Sequence, residues 1–167
     1  MLTVERAGQD RLVCGLGRPS ADGDWREVAA VVDSGAEETV APPGLFPGEV
    51  MESPMQRSGG RYRAANGARI PNLGQQRVSF RTSEGHGCSL CVQVADVERP
   101  LISVSQLGKT GHKVEFEGDK GYIVHVRTGR RLRLQREGGV YTLKMRVRIK
   151  PDRPTPGSPP GFSRHGR

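Results

Sequence analysis

Asp33-Ser34-Gly35-Ala36 follows directly on an apolar run, Val28–Val32, and is the segment of this sequence best suited to chemistry. A carboxylate at the end of a buried strand is unfavourable unless it is paired or used, and the small residues after it let two backbones approach closely. Two such loops facing each other would place two carboxylates ~3 Å apart, sharing one proton, so that one acts as a base on water and the other as an acid on a carbonyl group. Because the motif occurs once, the second carboxylate must come from another chain. The alternative is that Asp33 only forms an Asx turn after the strand.

A second group of residues with chemical potential is His86, Cys88 and Cys91, which could bind a metal together with Cys14 or His112. A structural zinc site normally shows two separated ligand pairs, and this pattern lacks them. Cys88 also fits the apolar face of a strand. We therefore predict no metal and no cofactor. Three cysteines are too few for a disulfide scaffold, and reduced thiols indicate an intracellular setting.

The elements that must position these residues are short strands parted by Gly- and Pro-containing turns. A hairpin is predicted over 61–81, with residues 64–68 at its tip and Asn66-Gly67 as a two-residue turn. Leu101–Gly108 is the one predicted helix, after Pro100. The fold class is thus all-β with one short helix. Alternation and apolar runs predict further strands at 11–16, 28–33, 88–94, 112–117, 121–126, 130–135 and 141–149.

The final strand is amphipathic and its polar face is basic. Tyr141, Leu143, Met145, Val147 and Ile149 are predicted to face one way, and Thr142, Lys144, Arg146, Arg148 and Lys150 the other. Residues 127–167 hold twelve Lys or Arg against two acids, a net charge of +10. Since the whole chain carries +8, residues 1–126 carry −2. This basic segment can contact nucleic acid, or it can be a solvated tail or an interface with a following polyprotein segment.

Four segments resemble the proteases of LTR retrotransposons, particularly the copia type. They are VVDSGA (31–36), ANG (65–67), LISVSQLGKTGHKVEF (101–116) and GVYTL (139–143). The resemblance covers about residues 11–147, and the spacing agrees with the order of active-site loop, flap and closing helix in retropepsins. The chain departs from the pattern in several places: Glu37 stands where many relatives have Ser, Thr or Asp, Glu38 adds another acid, and Ser103 replaces the usual Gly. The flap is also poorer in glycine than that of viral relatives.

The resemblance implies a retropepsin-like acid-protease fold, a closed β-barrel-like half-lobe, and a homodimeric aspartic endopeptidase that processes a polyprotein. Asp33 would be the catalytic carboxylate, in an active-site loop with Ser34, Gly35 and Ala36. Ser34 would brace the dimer, and Gly35 would permit the close contact of the two loops. The flap over the polypeptide substrate would be formed by Ala65, Asn66 and Gly67, while Leu101 and Ile102 would pack beside the active-site loop.

These observations divide the chain into an N-terminal extension (1–10), a protease domain (11–149) and a disordered Pro/Gly-rich basic tail (150–167). Within the domain we distinguish a core of about 11–126 and basic strands over 127–149. No apolar run approaches a membrane span and the N-terminus lacks a signal core, so we expect an intracellular protein, cytoplasmic or nuclear, possibly part of a polyprotein, with no membrane partner. The alternative function is a decayed or domesticated, non-enzymatic module for binding or dimerisation, with a basic segment that contacts nucleic acid.

Overall fold

A computed structural model describes residues 3–4, 13–15 and 24–149, with side chains for 24–149. These described residues are mainly β, with 54% strand and 8% helix, which confirms the all-β prediction. They form two short helices, where one was predicted. No helix among the described residues is long and apolar enough to cross a membrane.

The helices are α1 (Pro54–Arg57) and α2 (Val104–Lys109). The strands are β1 (Thr3–Val4), β2 (Val13–Gly15), β3 (Trp25–Asp33), β4 (Val40–Ala41), β5 (Arg61–Arg63), β6 (Arg69–Arg81), β7 (Gly87–Ala95), β8 (Leu101–Ser103), β9 (His112–Glu117), β10 (Lys120–His125), β11 (Arg131–Glu137) and β12 (Val140–Arg148).

Six of the strands pair in a closed ring. Along the ring β6 pairs with β7, β7 with β4, β4 with β8, β8 with β3, β3 with β12, and β12 again with β6. The pairings β3–β8 and β4–β7 are parallel and the others are antiparallel. Strands β9 to β12 form an antiparallel meander that continues the sheet outward from the ring. A closed ring satisfies the backbone hydrogen bonds of its strands without leaving open edges between them.

The main hydrophobic core is built by the inward faces of the ring strands. Alternate residues of β3 are buried, among them Val28, Ala30 and Val32, and Leu143, Met145 and Val147 of β12 join the same cluster. Each fully buried aliphatic side chain contributes roughly 1.5–3 kcal/mol relative to an exposed one. The predicted inward face of the last strand is confirmed for Leu143, Met145 and Val147. Ile149 lies beyond β12 and is 54% exposed, so its predicted inward position is wrong.

The predicted helix over Leu101–Gly108 is wrong in its first three residues. Leu101–Ser103 form β8, because Leu101 and Ile102 pair with β3, and the helix begins only at Val104. Ser103 is its N-cap: its hydroxyl accepts a hydrogen bond from the Gln106 amide at 3.2 Å. The unpredicted helix α1 has an equally local cause, since Ser53 caps it and Pro54 occupies its first turn.

The hairpin of β5 and β6 has its connection at residues 64–68, as predicted, but the turn differs. The loop has five residues, and the Gly67 amide donates to the Ala64 carbonyl at 2.9 Å. Asn66-Gly67 is therefore not a two-residue turn. The strands predicted at 11–16, 121–126 and 130–135 are shifted at their ends to Val13–Gly15, Lys120–His125 and Arg131–Glu137. Most of the extension 1–10 and the whole of the tail 150–167, including Lys150, lie outside the described residues.

Candidate functional site

Asp33 is the last residue of β3, at the point where that strand leaves the ring. Alternation along β3 puts Val32 into the core and leaves Asp33 half-exposed on the opposite face. The Gly35 amide donates to Asp33 Oδ1 at 2.7 Å, which closes an Asx turn. The turn orients the carboxylate relative to the strand end. This geometry fits both interpretations of the motif. An oriented, accessible carboxylate suits catalysis, and an Asx turn also suits the end of a strand.

The loop after Asp33 is tied to β8 and α2 by buried hydrogen bonds. The Ser103 hydroxyl donates to the Ala36 carbonyl at 2.6 Å, and the Ser103 amide donates to Thr39 Oγ1 at 3.1 Å. Gln106 Nε2 donates to the Glu37 carbonyl at 3.0 Å. Ser103 is 0% exposed. Its hydroxyl thus both caps α2 and holds the Asp33 loop, so the serine at this position has a structural role that a glycine lacks.

The residues predicted to pack beside the loop lie next to β3. Leu101 is the register partner of Val31 and Ile102 that of Val32, while Asp33 lies opposite Ser103. The Val31 amide also donates to the Pro100 carbonyl at 3.0 Å. The parallel pairing of β3 with β8 fixes the direction in which the chain leaves at Asp33.

The remaining loop residues differ in their exposure. Ser34 is exposed and Gly35 is half-exposed, whereas Ala36 is buried. Ser34 therefore presents its hydroxyl at the surface, and Ala36 anchors the loop in the protein interior.

The tip of the β5–β6 hairpin is fully exposed at Ala65, Asn66 and Gly67. Gly67 has φ +83°, and a Cβ added there would meet nothing within 4 Å. Asn66 Oδ1 accepts a hydrogen bond from the Ala68 amide at 3.0 Å, which stabilises the turn from within. The tip is held by its own backbone bonds, so its conformation is local to the hairpin.

The base of the same hairpin contains a buried polar hub that sequence reasoning missed. Asn72 Nδ2 donates to Tyr62 Oη and to Gln93 Oε1, both at 2.8 Å. Asn72 Oδ1 accepts from Ser53 Oγ at 2.7 Å and from the Gly74 amide at 2.8 Å. The hub joins β5, β6, β7 and the start of α1 at a bulge between Asn72 and Gly74. A polar residue inside a predicted strand was the available signal, but its partners lie up to 21 residues away.

The basic side chains of β12 that were predicted to share one face have two different surroundings, one acidic and one aromatic. Lys144 Nζ lies 2.8 Å from a Glu137 carboxylate oxygen and 3.8 Å from one of Glu27, and its side chain is only 17% exposed. The hydrogen bond with Glu137 raises the pKa of Lys144. Arg146 and Arg148 instead lie beside the ring of Trp25.

A pair of histidines lies outside the loop, on neighbouring strands of the meander. His112 of β9 and His125 of β10 face each other with ring centroids 5.0 Å apart. His112 is 7% exposed. Burial, followed by the charge of His125, lowers the pKa of His112 below its usual value of 6.5.

Within residues 24–149 and the two short N-terminal strands, no three His, Cys, Asp or Glu residues are placed to hold a metal ion. Cys88 belongs to the main core, and its thiol lies 3.9 Å from the carbonyl oxygen of His86. This placement gives the metal interpretation of His86, Cys88 and Cys91 no support.

Comparison with protein-family models, curated proteins and solved structures finds no match to this chain.

Proposed function

We propose that this chain is one subunit of a homodimeric aspartic endopeptidase of the retropepsin type, which cleaves a polyprotein. The observation that carries the proposal is the placement of Asp33. Its half-exposed carboxylate ends a strand of the closed ring, and its loop is held by hydrogen bonds from Ser103 and Gln106. A rigid support of this kind is what a catalytic carboxylate requires.

The arrangement of the elements around Asp33 supports the retropepsin-like fold. After the Asp33 loop the chain forms the β5–β6 hairpin and then returns as the short apolar strand β8, parallel to β3, followed by α2. This is the order of active-site loop, flap and closing helix implied by the sequence resemblance. The closed ring of six strands is consistent with a barrel-like half-lobe.

In the proposed reaction the Asp33 carboxylates of two subunits share one proton. The ionised carboxylate takes a proton from a water molecule, whose oxygen attacks the scissile carbonyl carbon, while the protonated carboxyl group gives its proton to the carbonyl oxygen. The carboxyl group that took the water proton then gives it to the amide nitrogen, and the other carboxylate takes back a hydroxyl proton of the tetrahedral intermediate as the C–N bond breaks, which restores the shared proton. The exposed Ser34 would contact the partner's loop, and the hairpin tip would cover the peptide and exclude water.

The test is cleavage of an unfolded protein substrate at mildly acidic pH by the wild-type chain and by Asp33→Asn. Asparagine keeps the oxygen that accepts the Gly35 amide hydrogen bond, so folding should be retained while the general base is lost. Asp119→Asn is the matched control, because Asp119 is an exposed acid of the β9–β10 turn. Equal cleavage by wild type and Asp33→Asn would reject the proposal.

A second candidate function, a non-enzymatic module on the same scaffold, is favoured by the Asx turn itself. The 2.7 Å bond from the Gly35 amide gives Asp33 a purely structural use. In that case wild type shows no cleavage at any pH, and Asp33→Ala lowers the melting temperature while Asp33→Asn does not. Cleavage that depends on Asp33 would exclude this candidate.

A further inference from the structure

One face of the sheet, where β3, β12 and β6 adjoin, gathers three arginines around a tryptophan. In the strand register Trp25 lies opposite Arg148, and Arg146 lies opposite Arg81. Directly opposed residues of antiparallel strands point to the same face, as do residues two apart on one strand. The sheet therefore places all four side chains on one surface, which we call the Trp25 face. Glu27 lies opposite Arg146 on this face, with a carboxylate oxygen 3.8 Å from Lys144 Nζ.

The guanidinium groups lie over the indole ring at moderate distances. Arg81, Arg148 and Arg146 have their Cζ atoms 5.3, 5.9 and 6.0 Å from the ring centroid. Arg131 lies closer to an aromatic ring, with its Cζ atom 3.9 Å from the centroid of Tyr122. The arginines at Trp25 are thus held at larger distances from the ring than Arg131 is from Tyr122.

The spacing and chemistry of this face fit a chain of phosphates with bases between them. Arg146 and Arg148 are two residues apart on β12, a separation of roughly 6.6 Å along the strand. Guanidinium forks bind phosphate oxygens through two parallel hydrogen bonds, and they keep these donors when they lie beside an aromatic ring. An indole among cations is the combination that single-strand-binding proteins use to stack bases.

We propose that the Trp25 face binds single-stranded nucleic acid. The phosphates contact Arg81, Arg146 and Arg148, and a base stacks on Trp25. An acidic peptide would use the charges but would gain little from the indole, which is why nucleic acid is favoured. This site is separate from Asp33, which lies at the opposite end of β3.

Trp25 is the one tryptophan of the chain, so intrinsic fluorescence reports on this face alone. The probe is a thymidylate dodecamer, added to the full chain while tryptophan emission and the anisotropy of a labelled copy are recorded. We expect quenching of emission in parallel with binding. We also expect log affinity to fall linearly with log salt between about 50 and about 200 mM.

The test variant is Arg81→Gln/Arg146→Gln/Arg148→Gln. Its matched control is Arg57→Gln/Arg131→Gln/Arg136→Gln, which removes the same charge from three arginines that do not lie over Trp25. Each lost phosphate contact should reduce the salt slope by about 0.7, so the test variant should lose about 2 units and the control none. Arg146→Gln alone, at an exposed position, provides a variant that retains the fold if the triple variant does not.

The proposal would be overturned by no binding at about 50 mM salt, by binding without quenching of Trp25, or by equal weakening in the test and control variants. Quenching by a poly-glutamate peptide as strong as that by the dodecamer would also overturn it, in favour of an acidic protein partner. Quenching with selective loss in the test variant would support it.

Discussion

At the scale of single residues, Ser103 connects the helix start with the loop that carries Asp33. Its hydroxyl accepts from the Gln106 amide and donates to the Ala36 carbonyl. Replacing Ser103 with Ala removes the N-cap and leaves a buried carbonyl without this donor. We expect Ser103→Ala to lower the free energy of unfolding by about 2–3 kcal/mol, measured by denaturant titration.

Ser83→Ala is the control for that experiment. Ser83 is exposed in the turn before β7 and belongs to neither α2 nor the Asp33 loop. A loss of stability as large in Ser83→Ala as in Ser103→Ala would show that the effect does not come from the anchoring of the loop.

The position of Asp33 was predictable from sequence, whereas the role of Ser103 was not. An apolar run that ends in a carboxylate and small residues indicates a strand end and a turn by purely local rules. The bond from Ser103 to Ala36 joins residues 67 positions apart, and no local pattern encodes it. The sequence alone showed Ser103 as a departure from a resemblance, and its reason became apparent only from the contact.

At the scale of elements, the β5–β6 hairpin depends on the Asn72 hub at its base. Asn72→Ala would leave Tyr62 Oη, Gln93 Oε1 and Ser53 Oγ without this partner inside the protein. We expect a loss of about 2–4 kcal/mol in the free energy of unfolding, from the several buried hydrogen bonds lost together. Denaturant titration measures the loss.

The control for the hub is Asn66→Ala at the exposed tip, where the side chain bonds only the Ala68 amide. We expect it to change stability by less than about 1 kcal/mol. If both variants lose the same stability, the hub is not what holds the hairpin.

The tip of the same hairpin gives a prediction about activity. Gly67 has φ +83° and open space around it, so Gly67→Val introduces backbone strain of about 1–2 kcal/mol and no clash. We expect cleavage to fall far more than the melting temperature, because the tip would close over the substrate. Cleavage rate and thermal unfolding are measured on the same preparation.

Gly85→Val is a close control, since Gly85 has φ +84° with equally open space in the turn before β7. It should lose similar stability and no activity. An unchanged cleavage rate in Gly67→Val would remove the flap assignment, and so would an equal loss of activity in Gly85→Val.

The helices and strands were predictable where local sequence rules determine them, and they were not predictable where pairing with a distant strand determines them. The hairpin over 61–81 followed from its strand patterns, but its turn type did not, because Asn66 bonds the Ala68 amide in a five-residue loop. The local pattern predicts a helix at Leu101 and Ile102, but these residues pair with β3 and form a strand of the ring. Tertiary pairing overrode the local preference there.

At the scale of the whole molecule, the ring is closed by its most distant strands. Strand β12 pairs with β3 along seven residues, from Val31 opposite Thr142 to Trp25 opposite Arg148, and its Arg146 and Val147 also meet β6. The alternation of β12 was visible in the sequence. Its neighbours were not, because residues more than a hundred positions apart adjoin there, and this pairing creates the Trp25 face.

Global stability should depend on pH through His112. Its pKa is lowered in the folded state by burial and by the charge of His125, so the unfolded chain binds more protons below about pH 6.5. The contribution of His112 to the free energy of unfolding is therefore fully present above that pH and is lost as the pH falls below it. We expect the melting temperature to drop between about pH 7.5 and about pH 5.5.

His112→Gln should flatten this dependence, with His86→Gln as a control that retains it. A dependence that persists unchanged in His112→Gln would contradict the assignment. Glu115 acts in a separate, more acidic window. Its hydrogen bond with Lys113 lowers its pKa below 4.5, so its contribution is lost only as the pH falls below that value.

The assembly itself can be tested by subunit mixing, because each chain supplies one Asp33. A dimer of wild type with Asp33→Asn holds a single ionisable Asp33 and cannot form the shared dyad. When equal amounts are mixed and allowed to exchange, activity per wild-type chain should fall to about half, since about half of the wild-type chains pair with mutant ones.

On dilution of the wild type alone, activity should fall faster than concentration. The Asp119→Asn chain is itself expected to be active, so mixing it in the same way should leave the activity per total chain unchanged. Activity that is proportional to concentration at every dilution and indifferent to added Asp33→Asn would mean that one chain cleaves alone, which a single carboxylate in this geometry does not explain.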